Sequence, residues 1–264
     1  MPAHTVRKIK MILTSKTGIY TIAAGASLLF FTAATIAAEM PIATSDSMRS
    51  NDLHYTPAGF FDIHVCNWPD RELFFMPLLS TIRYSEITGI EVQYPDGNTL
   101  TSLNLEKYMV LKQGDKPEKH VFMSQIEVPD SAQNGWYTAT INLADGAKII
   151  AKDYVIISHL PRASGMNPPD GADDIPTPEK LTWSSTGEGS YYQVFIRDSW
   201  NDDKLIYTSI LLNKPELVIP SGLLQPGGSY SWKVHARDVN EDILLGDFNK
   251  GSMSRVATFS ISEN

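Results

Sequence analysis

Cysteine is all but missing from this chain: Cys66 is the only one among 264 residues. One thiol cannot form an intramolecular disulfide, so each folded unit must hold itself together by burying apolar surface. Basic charge is the second shortage. Lys and Arg number 22 against 30 Asp and Glu, a net charge of −8. Nucleic-acid affinity rests on clustered Lys and Arg, so this balance excludes a nucleic-acid partner. The chemistry of catalysis is also thin. No Gly-x-Ser-x-Gly elbow, phosphate-binding loop or dinucleotide-binding glycine pattern occurs, and His54, His64, His120, His159 and His235 are scattered without His-x-x-x-His spacing. No enzyme and no cofactor are expected.

The N-terminus has a composition of its own. Arg7, Lys8, Lys10 and Lys16 open it without an acid, Ile19 to Ala38 is almost wholly apolar or small, and Thr35-Ile36-Ala37-Ala38 ends it just before Glu39. That order reads as a signal peptide over 1–38, which implies a periplasmic, extracellular or cell-surface protein. The apolar stretch is nearly long enough to span a bilayer, so retention as an uncleaved anchor is the other outcome and the only membrane contact expected. Cleavage removes four basic residues and no acid, taking the net charge to −12. Cys66 is too far from this boundary to carry a lipid.

Residues 39–52 are rich in Ser, Thr, Ala and Asp without periodicity and read as a flexible leader. From Leu53 onward, no stretch of ten residues has helical apolar spacing. Short runs of Val, Ile, Tyr, Phe and Thr alternate with turn clusters, so the fold class is all-β. In 53–160 the opening strand is Phe60-Phe61-Asp62-Ile63-His64-Val65. Hairpins are expected at Pro95-Asp96-Gly97-Asn98 and at Asp145-Gly146, where Gly tolerates the positive φ of a tight turn. About seven strands in this span suit two packed sheets. Residues 71–85 fit a buried strand or a short helix, with Pro77 interrupting either. Residues 161–178, with Pro168-Pro169, Asp170-Gly171 and Asp173-Asp174, mark a linker, part of which can pair as a first strand of the second domain.

In 179–264 the strands are sharper. Tyr192, Val194 and Ile196 share one face of an alternating run, Trp183 sits in a short apolar run, and Leu224-Gln225-Pro226-Gly227-Gly228-Ser229-Tyr230 leads into Ser231-Trp232-Lys233-Val234-His235-Ala236. This Leu-x-Pro-Gly-x-x-Tyr run resembles the fibronectin type III pattern over most of 175–264. The resemblance implies that Tyr230 is a corner tyrosine tied to the upstream loop and that Trp183 fills the core. Residues 53–160 resemble an immunoglobulin-like sandwich more loosely, through Trp136-Tyr137 before alternating residues. Together they give two tandem immunoglobulin/fibronectin III-like β-sandwiches after the signal. Trp136, Trp183, Tyr192 and Tyr230 are expected in the core or at corners.

Candidate functional residues lie where the family pattern stops. Ile243, Leu244, Leu245 and Phe248 stand among charges in a long loop at one end of the second sandwich. They present a contact surface unless they fold back onto the open end of the core. Trp200, in the turn Asp198-Ser199-Trp200-Asn201-Asp202-Asp203, is placed to stack on a sugar or pack on a protein. Asp238 to Asp242 looks like the start of a calcium loop, but Ile243 replaces the turn glycine and Asn249 the closing Glu, which favours a solvated acidic loop. His64 and Cys66, two apart on one strand, share a face and are weak metal candidates without a third ligand nearby. The implied role is recognition of a protein or glycan of the cell envelope, or a structural place in a larger envelope assembly.

Overall fold

The alternation that begins near Gly59 does give strands throughout. The computed structural model describes residues 9–12, 53–112, 115–187, 190–238 and 247–263, and among them there is no α-helix, only a 3-10 turn at Tyr84–Glu86. Ile19 to Ala38, the leader 39–52, and Ile243, Leu244 and Leu245 lie outside the described residues. Among the described residues no helix is long and apolar enough to cross a membrane.

The first half supplies β1 (Ile9–Ile12), β2 (Tyr55–Thr56), β3 (Gly59–Asn67), β4 (Phe74–Thr81), β5 (Ile87–Gln93), β6 (Thr99–Ser102), β7 (Tyr108–Lys112), β8 (Lys119–Met123), β9 (Ile126–Glu127), β10 (Gly135–Leu143) and β11 (Lys148–Val155). They make two facing sheets. One runs β7-β8-β4-β3, with β1, β2 and β9 as short additions, and the other runs β11-β10-β5-β6. Phe61, Ile63, Val65, Phe75 and Leu79 meet Ile90, Val92, Tyr137, Ile141 and Val155 between them. Each such large apolar side chain contributes about 1.5–3 kcal/mol of burial. Both expected hairpins form, with Gly97 at φ 87° and Gly146 at φ 86°.

Within 71–85 the apolar run forms the buried strand β4 (Phe74–Thr81). Pro77 is tolerated there because β8 pairs Leu78–Thr81 and β9 pairs Phe74–Phe75, so Pro77 falls in the break between them. Trp136 departs from expectation. It is 46% exposed, whereas its neighbour Tyr137 is fully buried and donates its hydroxyl to the Gln133 carbonyl at 3.1 Å. Tyr137, Ala139, Ile141 and Leu143 form the inward row of β10, which leaves Trp136 on the outer row.

The second half supplies β12 (Ala172–Ile175), β13 (Lys180–Thr182), β14 (Tyr191–Asp198), β15 (Lys204–Thr208), β16 (Glu216–Val218), β17 (Ser229–Arg237), β18 (Lys250–Met253) and β19 (Ala257–Ile261). β15-β14-β17 form one layer, continued by β19 and β12, and the β13–β16 pair covers it. Trp183, Tyr192, Val194, Ile196, Trp232 and Phe259 fill the space between. Tyr230 is the corner tyrosine: the Gln225 amide donates to its hydroxyl at 2.8 Å. The segment 161–178 packs onto this sandwich. Leu160 and Ala163 belong to its core, and β12 pairs with β19 in parallel.

The two sandwiches share a continuous sheet. β19 pairs with Ser229–Trp232 of β17, and β18 pairs with His235–Arg237 farther along. The other edge of β18 pairs in parallel with β3, Lys250 beside Val65, Gly251 beside Cys66 and Ser252 beside Asn67. A side chain at Gly251 would put its Cβ 2.9 Å from both His235 Nε2 and Phe248 Cε2, so this close passage needs glycine.

Candidate functional site

β3 is covered on both faces. Phe61, Ile63 and Val65 point into the first core, while Asp62, His64 and Cys66 point the other way and are also buried. The cover over them includes the chain arriving from the second sandwich. Phe248 stacks on His64 with ring centroids 3.6 Å apart, and its amide reaches Asp62 Oδ2 at 3.4 Å. Asn249 acts as a short piece of strand. Its carbonyl accepts from Val65 N at 2.8 Å, and its side-chain amide makes two 2.8 Å bonds with the N–H and C=O of Ile156.

Between β2 and β18 the outer edge of β3 has a gap, and two carboxyl groups fill it. Ile63 N donates to Asp153 Oδ2 at 2.7 Å and to Asp62 Oδ1 at 2.8 Å. Asp153 comes from β11, where alternation places it on the inward row with Ala151 and Val155. The two carboxyl groups thus converge on one backbone N–H, each accepting from Ile63. His64 Nε2 lies 3.0 Å from Asp62 Oδ2. His54 Nδ1 lies 3.1 Å from the Phe61 carbonyl, and its Nε2 is 3.6 Å from Asp153 Oδ1. Burial raises the Asp62 carboxyl well above the carboxylate range, and the nearby Asp247 adds to that. Burial, then the charge of Asp62, raises Asp153 in the same way. Among the described residues no Lys or Arg forms an ion pair with either. One donor atom from each of His54, Asp62 and Asp153 lies within 4.8 Å of the others, and all three residues are buried.

The expected site residues fare differently. Phe248 is 3% exposed and offers a partner no surface; it takes the inward alternative because His64 and Arg237, whose guanidinium lies 5.0 Å from its ring, receive it. Ile243, Leu244 and Leu245 fall outside the described residues. Trp200 is 75% exposed at the tip of the β14–β15 turn. His64 and Cys66 do share a face, but Cys66 is absent from the His54–Asp62–Asp153 group. Burial pushes its thiol up to about 12, so it is a protonated packing residue and not a thiolate. Asp238, at the start of the calcium-like loop, accepts from Lys250 N at 2.6 Å across the strand. His54, Asp62 and Asp153 were not anticipated as a group.

No family model and no curated protein matches the chain. Among solved structures, similarity is found to Tp47, the 47-kilodalton lipoprotein of Treponema pallidum, at 11% identity and TM-score 0.35, over 75% of this chain and 50% of that one. The FN1-FN3 domains of chicken CNTN1 give 12% identity and TM-score 0.26, over 79% and 66%. Trypsin-activated alpha-2-macroglobulin from Escherichia coli gives 13% identity and TM-score 0.25, over 80% of this chain but only 16% of that one. The chain therefore spans a sixth to two thirds of these structures. At identities and TM-scores this low, the likenesses assign no activity or ligand.

Proposed function

We propose that this is a non-catalytic binding or scaffolding protein, exported to the periplasm or cell surface by residues 1–38, that recognises a protein or glycan of the envelope through loops at the ends of its sandwiches. The supporting observation is Trp200. Its turn is firmly built: Asp198 Oδ1 accepts from Trp200 N at 3.0 Å, Arg197 Nη1 donates to the Asp203 carbonyl at 2.7 Å, and Ser231 Oγ donates to Asp203 Oδ1 at 2.9 Å. A rigid turn thus holds a large apolar ring in water, where nothing in the fold gains from it. Covering most of such a ring is worth about 2–4 kcal/mol, roughly 30- to 1,000-fold in affinity.

The test compares wild type with Trp200→Ala as bait against native envelope fractions and against envelope glycans. Loss of captured material with unchanged thermal stability supports recognition through this turn; capture that is indifferent to the substitution sinks it. A second reading, a structural module that docks by a flat face, is favoured by the outer row of β10 and β11. There Trp136 and Tyr154 are cross-strand partners packed edge-on at 5.3 Å, with Ile150 exposed on the same face. Trp136→Ala with Tyr154→Ala abolishes capture under this reading and leaves it intact under the first.

A further inference from the structure

We infer that His54, Asp62 and Asp153 form a buried site for one divalent transition-metal ion of the zinc type, which fastens the edge of β3 to β11 beside the junction of the two sandwiches. The tautomer of His54 is set by its backbone neighbour. A carbonyl oxygen only accepts, so the 3.1 Å contact between Nδ1 and the Phe61 carbonyl puts the hydrogen on Nδ1. In the neutral ring, Nε2 then carries a lone pair, and it faces another acceptor, Asp153 Oδ1, at 3.6 Å. Nε2 and the Asp153 carboxyl face each other in a buried place, and either a proton or a metal ion between them satisfies both. Metal-ligating histidines donate their other ring N–H to a backbone carbonyl or carboxylate, as His54 Nδ1 does here, which leaves Nε2 for an ion.

The remaining features agree. Ligand atoms about 2.0–2.2 Å from a tetrahedral ion stand roughly 3.3–3.6 Å from one another, which matches the separation of His54 Nε2 and Asp153 Oδ1. The third donor lies within the same 4.8 Å group. Asp62 and Asp153 are buried with Asp247 nearby, and no Lys or Arg forms an ion pair with either of the two among the described residues, so a divalent ion supplies positive charge that the place otherwise has little of. An imidazole with two carboxylates suits zinc or a neighbouring transition metal better than calcium or magnesium, which take oxygen ligands. His64 Nε2 holds Asp62 Oδ2 at 3.0 Å and acts as a positioning residue. All three ligand residues are buried, and the Phe248 amide on Asp62 carries the fastening to the second sandwich.

The test titrates the chelator-stripped full chain with Zn²⁺ by calorimetry and follows its melting temperature. One ion per chain and a raised melting temperature are expected. His54→Gln lowers the affinity at least 100-fold, His64→Gln about 10- to 100-fold, and His159→Gln, at an exposed histidine, leaves it unchanged. Because a variant can fail to fold, X-ray absorption of the wild-type chain loaded with Co²⁺ provides a second reading. One histidine nitrogen with oxygen ligands supports the site. No stoichiometric ion in the wild type, or equal binding by the His54 and His159 variants, overturns it, and protons on the His54 and carboxyl groups then fill the gap.

Discussion

Asn249→Ala removes one side chain and tests whether the two sandwiches behave as one body. Its amide makes two 2.8 Å bonds to the backbone of Ile156, the residue just beyond β11, while its own carbonyl holds Val65 of β3. Alanine keeps the Val65 bond and loses the other two. At about 0.5–1.5 kcal/mol net each, the loss is roughly 1–3 kcal/mol. The low half of that range is favoured, because the Ile156 backbone groups are only partly buried and water can replace the amide. For a body of about 200 residues this lowers the melting temperature by roughly 2–10 °C. The shape of the transition changes as well. Calorimetry of the wild type gives one cooperative unfolding event, and Asn249→Ala moves it toward two, because the bonds lost are ones that join the halves. Asn249→Asp is worse, since it loses the amide donor and adds a carboxylate next to Phe248, whose amide reaches Asp62. An Asn249→Ala protein that melts as wild type does, in a single transition, refutes the reasoning.

Other outcomes rest on single contacts. Tyr230→Phe leaves the Gln225 amide without its 2.8 Å acceptor and costs about 1–3 kcal/mol in denaturant unfolding, with little change in slope. His235 is half-buried as a residue but its Nε2 is enclosed; desolvation first, then the charges of Arg237, His64 and Lys233, hold its pKa well below the ordinary 6.5. The Phe248 ring packs edge-on against it, and its Nε2 has no hydrogen-bond partner among the described residues. The unfolded chain therefore binds this proton more readily than the folded one. Its contribution is fully present above about pH 6.5 and falls by up to about 1.4 kcal/mol per pH unit below it. Unfolding measured from pH 7 to 5 shows this slope in the wild type and a shallower one in His235→Leu. Cys66, with its thiol pushed up to about 12, resists alkylation at pH 8 in the native protein and reacts once urea unfolds it.

What the sequence revealed was local. The Asp-Gly hairpins and the Tyr230 corner are set within a few residues, so composition and spacing expose them. Trp136 was legible but misread. Thr138, Thr140 and Asn142 continue its row and are polar, whereas Ala139, Ile141 and Leu143 continue the row of Tyr137; the parity of the strand places the indole outside. Asp153 left a similar trace, a charge on the inward row between Ala151 and Val155. Its convergence with His54 and Asp62 left none, because the contact between Asp153 and Ile63 bridges 90 residues. β18 was hidden for the same reason. Lys250-Gly251-Ser252-Met253 has no strand-like alternation, and its pairing with β3 is created by two folded sandwiches meeting. Phe248 reads as a contact residue because its apolar neighbours stand among charges, and only the His64 face of β3 shows where it goes.

The central claim is that β18 and the residues before it join two sandwiches into one sheet, and amide hydrogen exchange at Val65 tests it directly. Val65 N donates to the Asn249 carbonyl across the junction at 2.8 Å. If the sheet is continuous, Val65 exchanges as slowly as Val194, whose amide is held by Ser209 Oγ inside the second sandwich. Exchange at Val65 as fast as at Asp96, an exposed residue of the β5–β6 turn, with Val194 still protected, would contradict the claim.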